Sequence, residues 1–183
     1  MNFNKEFNEI ITSDKWMMNI LSIIRNLGLN DCWVGAGFVR NKIWDVKHQM
    51  GPTALNDVDV IYFDCNKLDK QEDLLIEEKL KLINTTINWS VKNQALMHLR
   101  NGHAPYIDCK HAISFWPETA TAIAIKLDKE VQIQHIAPYG LDDLFNLQVR
   151  PTPNFNLDTY QHRIEDKKWK NKWNKLVIHS QIS

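Results

Sequence analysis

The 183-residue sequence predicts an α/β fold, of the α+β kind, in which a mixed sheet is flanked by helices. Three observations predict it. Stretches with helical and with strand periodicity alternate along most of the chain. The apolar runs "TAIAIKL" (121–127) and "VQIQHIA" (131–137) are joined only by Asp128-Lys129-Glu130, which makes an antiparallel hairpin and rules out a purely parallel sheet. No internal repeat and no Pro/Gly/Ser-rich linker divides the sequence, so one unit spanning residues 1–183 is expected.

The elements follow in order. Ser13 is the expected cap of a first helix in which Trp16, Ile20, Ile23, Ile24 and Leu27 share a face, with Gly28 ending it. "CWV" (32–34) reads as a short buried strand, and "FVRNKIWDV" after it as a helix with Phe38, Ile43 and Trp44 turned inward. "VDVIYF" (58–63) is a strand, 69–86 an amphipathic helix, and "INWSVKNQALMHL" (87–99) a strand of mixed pattern. "DCKHAISFW" is helical with Asp108 as its cap. "LDDLFNLQV" is a helix stopped by Pro151 and Pro153. A last helix, about 157–178, is expected to dock on the rest through Trp169, Trp173 and Leu176, whose spacing marks one helical stripe.

Composition narrows the function. With 22 Lys+Arg against 22 Asp+Glu the net charge is zero, so the chain as a whole gives no strong nucleic-acid signal. The basic residues of the tail (Arg163, Lys167, Lys168, Lys170, Lys172, Lys175) read as a solvated helix face. Cys32, Cys65 and Cys109 lie far apart without a CxxC pair, which argues against a disulfide framework. His98, His103, Cys109 and His111 lack the paired spacing of a zinc site. The N-terminus carries no signal-peptide pattern and no run reaches membrane-spanning length, so a soluble, cytoplasmic protein without a membrane partner is expected.

Two stretches carry the chemistry: "WVGAGFVRNKIWD" (33–45) and "NDVDVIYFD" (56–64). A dinucleotide fingerprint would use Gly35 and Gly37, with Asp57 on the ribose. It fails twice: Arg40 stands where the third glycine belongs, and Asp57 and Asp59 precede their apolar run instead of following it. A metal-bound triphosphate asks less. Residues i and i+2 of a strand share a face, so Asp57 and Asp59 present two carboxylates together, which a cation such as Mg²⁺ (or Mn²⁺) stabilises. Glycines at a strand-to-helix turn let backbone N–H groups approach phosphate oxygens. Arg40, one turn into the helix, is placed to reach a phosphate or the aspartates.

Strand, glycine turn, helix and D-x-D strand together resemble the catalytic head of the DNA polymerase β-like nucleotidyltransferase superfamily. "GAGFVRN", "LNDVDVIYFD", "VKNQALMHLRNGHAPY", "WPETATAIAIKL" and "GLDDLFNLQVRPTP" occur in the order of the blocks of a bacterial nucleotidyltransferase-like family, formerly catalogued as a domain of unknown function. The resemblance runs from about Trp16 to Trp173. It implies Gly35 and Gly37 at the triphosphate turn and Asp57 and Asp59 as metal ligands. It also implies a third carboxylate on a neighbouring strand, for which Glu118 is preferred, and additional charge near the phosphates from Lys92 and Arg100. The implied activity is Mg²⁺-dependent transfer of a nucleoside monophosphate from an NTP to a hydroxyl of an unknown acceptor, a small molecule, protein or RNA end, with release of pyrophosphate. A catalytically decayed nucleotide-binding or interaction protein on the same fold is the alternative.

Overall fold

The computed structural model describes residues 3–181. Two short helices open it, α1 (Asn4–Thr12) and α2 (Lys15–Arg25). Ser13 is not the cap. Its hydroxyl turns back to the Ile10 carbonyl (2.9 Å), whereas Asp14 takes the extended backbone a cap needs and accepts from the Trp16 and Met17 N–H groups. A carboxylate there also suits the positive end of the helix dipole. The inner face of α2 is Met17, Ile20, Leu21 and Ile24, and Trp16 stays 46% exposed against the expectation.

The chain continues through β1 (Trp33–Gly35), α3 (Gly37–Lys47), β2 (Val58–Tyr62), α4 (Lys70–Ile83) and β3 (Trp89–Asn93). The single strand expected over 87–99 ends at Asn93 and becomes α5 (Gln94–Asn101). The buried Asn93 amide causes the change: Nδ2 donates to the Asp64 and Lys67 carbonyls, and Oδ1 caps α5 at the Ala95 N–H. Next come α6 (Cys109–Ile113), capped by Asp108 as expected, the hairpin β4 (Ala124–Leu127) and β5 (Ile133–Ile136), then α7 (Asp142–Phe145) and β6 (Gln148–Val149). The last helix, α8 (Leu157–Lys167), is shorter than expected. It stops where Lys168 adopts φ +48°, a 3-10 turn follows at Trp169–Asn171, and the tail ends as β7 (Val177–Ile178), parallel to β6.

The main sheet has the order β3-β2-β1-β4-β5. Only β2 and β3 are parallel; the other neighbours are antiparallel. Strand alternation divides the side chains of β2. Val58, Val60 and Tyr62 enter the large core with α1 to α4 and the tail, while Ile61 joins a smaller cluster with Trp33, Cys109, Ile113 and Ala124. Asp59 alternates to the side of Ile61. No helix among the described residues is long and apolar enough to cross a membrane.

Although the stripe Trp169, Trp173, Leu176 does not lie on one helix, all three side chains are buried. The Trp169 and Trp173 rings meet Trp44 edge-on at 5.4 and 5.1 Å, and the Trp173 indole N–H donates to Asp45 Oδ1 (2.8 Å). Trp173→Ala is expected to lower unfolding free energy by ~3–5 kcal/mol, the range for truncating a large buried aromatic, as read from the urea midpoint.

Candidate active site

β1 passes into α3 through one residue, Ala36, at φ +52° and ψ −122°. L-residues rarely adopt this region, and the surroundings hold it there. The Ala36 N–H donates to the Ile123 carbonyl (3.0 Å), and its own carbonyl accepts from the Val39 and Arg40 N–H groups (3.3 and 3.0 Å). The flanking glycines serve different ends. A Cβ on Gly35 would lie 2.9 Å from the Ile123 carbonyl oxygen and 3.0 Å from the Trp116 ring, so close packing of β1 on its neighbours demands glycine. A Cβ on Gly37 would meet nothing nearer than the Arg40 guanidinium at 3.6 Å. Gly37 begins α3 and lines a cleft of about 750 Å³.

The cleft also receives both carboxylates. Asp57 immediately precedes β2, and Asp59, its second residue, lies in register with Gly35 on β1 and Ser90 on β3. Burial first, and then the charge of Asp57, push the Asp59 carboxyl up to about 6; the Ser90 hydroxyl and the Arg40 and Lys92 charges act the other way. A cation between the two carboxylates would remove that cost. Among the described residues no group of three or more His, Cys, Asp or Glu side chains converges on a metal position. Two carboxylates nonetheless fit Mg²⁺, which fills its octahedron with waters and substrate phosphates.

The same cleft holds positive charge. Arg40 is buried, with burial pulling its pKa down to about 10, so it stays charged at neutral pH. Its hydrogen-bond partners are neutral: Nε and Nη2 donate to Asn41 Oδ1 (3.2 and 2.9 Å), Nη1 to Thr121 Oγ1 (2.9 Å). The guanidinium also sits over the rings of Trp169 (4.5 Å) and Trp44 (5.1 Å). Beside it the tail contributes Arg163, Lys167, Lys168 and Lys172. These four were read from sequence as a solvated face. Arg163 and Lys167 reach the cleft from α8, and Lys168 and Lys172 from the turn that follows it, so all four line the same cleft as Asp57 and Asp59; only their excess over the tail's acids hinted at this.

Glu118 does not line the cleft. It is fully buried, and its Oε1 accepts from Arg163 Nε at 2.6 Å, so it holds part of the cationic wall. Lys92 does not line it either. Its ammonium is bound to Glu77 Oε1 (3.1 Å) and to the Val91 carbonyl (2.7 Å), and it reaches Asp59 only through space. Arg100, in the last turn of α5, does not line it. Asp45 is buried on α3. It accepts from the Thr53 N–H and hydroxyl (both 2.7 Å) and from the Trp173 indole (2.8 Å), tying the strip that delivers Asp57 to the tail that carries the cations.

Residues 22–178 match the family described as Nucleotidyltransferase. A protein whose NMR structure is described as a CCA-adding enzyme head domain is 39% identical, with a TM-score of 0.87 over 97% of this chain and 96% of that one. A CCA-adding enzyme in complex with CTP (14% identity, TM-score 0.60) and the Thermotoga maritima CCA-adding enzyme with tRNA (14%, 0.57) share the fold, each with 98% of this chain aligned. The chain spans 43% and 42% of those two enzymes, under half their length. No curated protein matches.

Two outcomes test this geometry. Gly35→Ala is expected to cost ~1–3 kcal/mol by overpacking, with Gly37→Ala far milder, as read by thermal melts of the two variants. The second concerns pH. Because the folded pKa of Asp59 is raised to about 6 from 3.8, the folded protein keeps a proton that the unfolded chain releases between those values. Stability therefore falls as pH rises through that window, and the cost is complete above it. Without metal, Asp59→Asn should match wild type at pH 3.5 and exceed it at pH 8 by on the order of 2–3 kcal/mol. Equal stability at both values would remove the burial and repulsion inferred at Asp59.

Proposed function

Because the chain belongs to this nucleotidyltransferase family, we propose that it transfers a nucleoside monophosphate from an NTP to an acceptor hydroxyl and releases pyrophosphate, with Mg²⁺ (or Mn²⁺) as cofactor. One observation carries the reading: a pair of carboxylates and a buried arginine with only neutral hydrogen-bond partners line a single cleft. Glu118, itself bound to Arg163, and Asp59 act on Arg40 only through space, and burial still outweighs them. A polyphosphate would offset the cost of that burial, and a divalent cation would offset the repulsion of Asp57 and Asp59.

In this reading Asp57 and Asp59 hold the metal, both in the ionised form. Gly37 leaves the start of α3 open to phosphate oxygens, and Arg40 and the tail cations bind the phosphates and steady the charge that develops on the departing pyrophosphate. Glu118 keeps Arg163 in place. When bound, the metal supplies Lewis-acid polarisation of the phosphoryl oxygens. Little covalent chemistry is left for the protein, whose work is positioning and charge neutralisation.

A second reading, nucleotide binding without turnover, draws on one feature: the positions beside Asp59 in the sheet are Gly35 and Ser90, so neither adjacent strand supplies a third carboxylate there. CTP and ATP, bound in structures of related CCA-adding enzymes, are the first donors to examine. Calorimetry should find NTP binding that requires Mg²⁺ and weakens at least tenfold in both Asp57→Asn and Asp59→Asn. Binding indifferent to the metal, or retained in both variants, would remove the site. Label from α-phosphate-labelled NTP appearing in a new product together with pyrophosphate favours transfer; binding without release favours the second reading.

A further inference from the structure

A second cavity of about 550 Å³ adjoins the cleft on the other side of the strip 53–57. Asn41 and the strip line both cavities, Asp57 included, but nothing of the tail beyond residue 88 lines the second. Its apolar lining includes Trp16, Met17, Phe38, Leu55 and Ile87. Trp16, half exposed, tilts on Phe38 with ring centroids 5.6 Å apart, an aromatic shelf at the rim. Asn88 Nδ2 donates to the Asn56 carbonyl (3.0 Å) and so pins the strip between the two spaces.

We propose that this second cavity is the acceptor subsite, and that the acceptor is a small hydroxyl compound with an apolar ring, uncharged or cationic, rather than a nucleic-acid end. The inference rests on the nucleotidyl-transfer reading. In an in-line displacement the attacking and leaving oxygens lie on opposite sides of phosphorus. Pyrophosphate departs toward the cationic wall, so the hydroxyl must arrive from the side away from the tail, where this cavity opens beside Asp57. The acceptor oxygen forms its bond to the α-phosphorus, the bond from that phosphorus to pyrophosphate breaks, and the hydroxyl proton passes to solvent. Charge selects the class. The lining holds Asp14, Asp45 and Asp57 against one cation, Lys42, and that cation is already paired with Asp14 at 2.8 Å. A phosphate-bearing acceptor finds no free positive charge there, whereas Trp16, half exposed and backed by Phe38, offers a face to a ring.

The test uses protein ¹⁵N-labelled at its seven tryptophans, with 2-phenylethanol as a neutral aromatic alcohol and 2-phenylethyl phosphate as its anionic counterpart. Phenylethanol should shift the Trp16 indole signal, with the phosphate ester at least fivefold weaker. Trp16→Ala should weaken phenylethanol binding at least fivefold and Trp16→Phe should restore most of it, while Mg²⁺-dependent ATP binding and the melting temperature stay at wild-type values. A shift at Trp169 in place of Trp16, undiminished binding by Trp16→Ala, or displacement of phenylethanol by a short RNA at far lower concentration would overturn the acceptor assignment alone. Absence of Mg²⁺-dependent ATP binding in wild type would overturn nucleotidyl transfer, and the acceptor assignment with it.

Discussion

Asp45 is the contact on which the site's geometry depends. It lies on α3, is buried, and spends both carboxylate oxygens on partners from elsewhere: Thr53 eight residues on, and Trp173 near the end of the chain. A buried carboxylate must be satisfied or it costs several kcal/mol, so the three segments meet there or the fold pays for their absence. The consequence is geometric. The strip leading to Asp57 and the tail carrying the lysines are both referenced to the helix whose first turn holds Gly37 and Arg40.

That frame allows charges to be kept in arrangements that folding alone would not favour. Asp57 and Asp59 stand together at the head of a strand, and burial and repulsion lift the Asp59 carboxyl to about 6. Arg40 sits under two indoles with only neutral hydrogen-bond partners. Each is a stability cost taken alone. Both line one cleft, their charges are opposite in sign, and in the proposed function a metal-bound polyphosphate would relieve both costs. Ala36, held at positive φ between them, is a third local cost, repaid by its hydrogen bonds to Ile123, Val39 and Arg40.

Much of this was legible. The alternation around 58–62 gave β2 and the relation of Asp59 to Asp57, the hairpin at 128–130 gave the antiparallel edge, and the ordered blocks pointed to the nucleotidyltransferase family that the chain belongs to. Where reading failed, a side chain had overruled a pattern. Asn93 converts an apolar run from strand to helix by bonding backbone groups of the loop at 64–67. Asp14 displaces Ser13 as cap because it, and not Ser13, takes up extended backbone. Glu118 and Lys92, chosen for charge and nearness in sequence, are engaged by Arg163 and Glu77.

The sequence by itself determined most of the elements and the spacing of the two carboxylates, because helix and strand periods and an i, i+2 spacing are properties of neighbouring residues. Only the tertiary structure decided what faces them. Trp173 reaches Asp45 across 128 positions, and the tail cations line the cleft from α8 and from the turn after it. No local pattern encodes such contacts, since they form when separate apolar faces are buried together in one core.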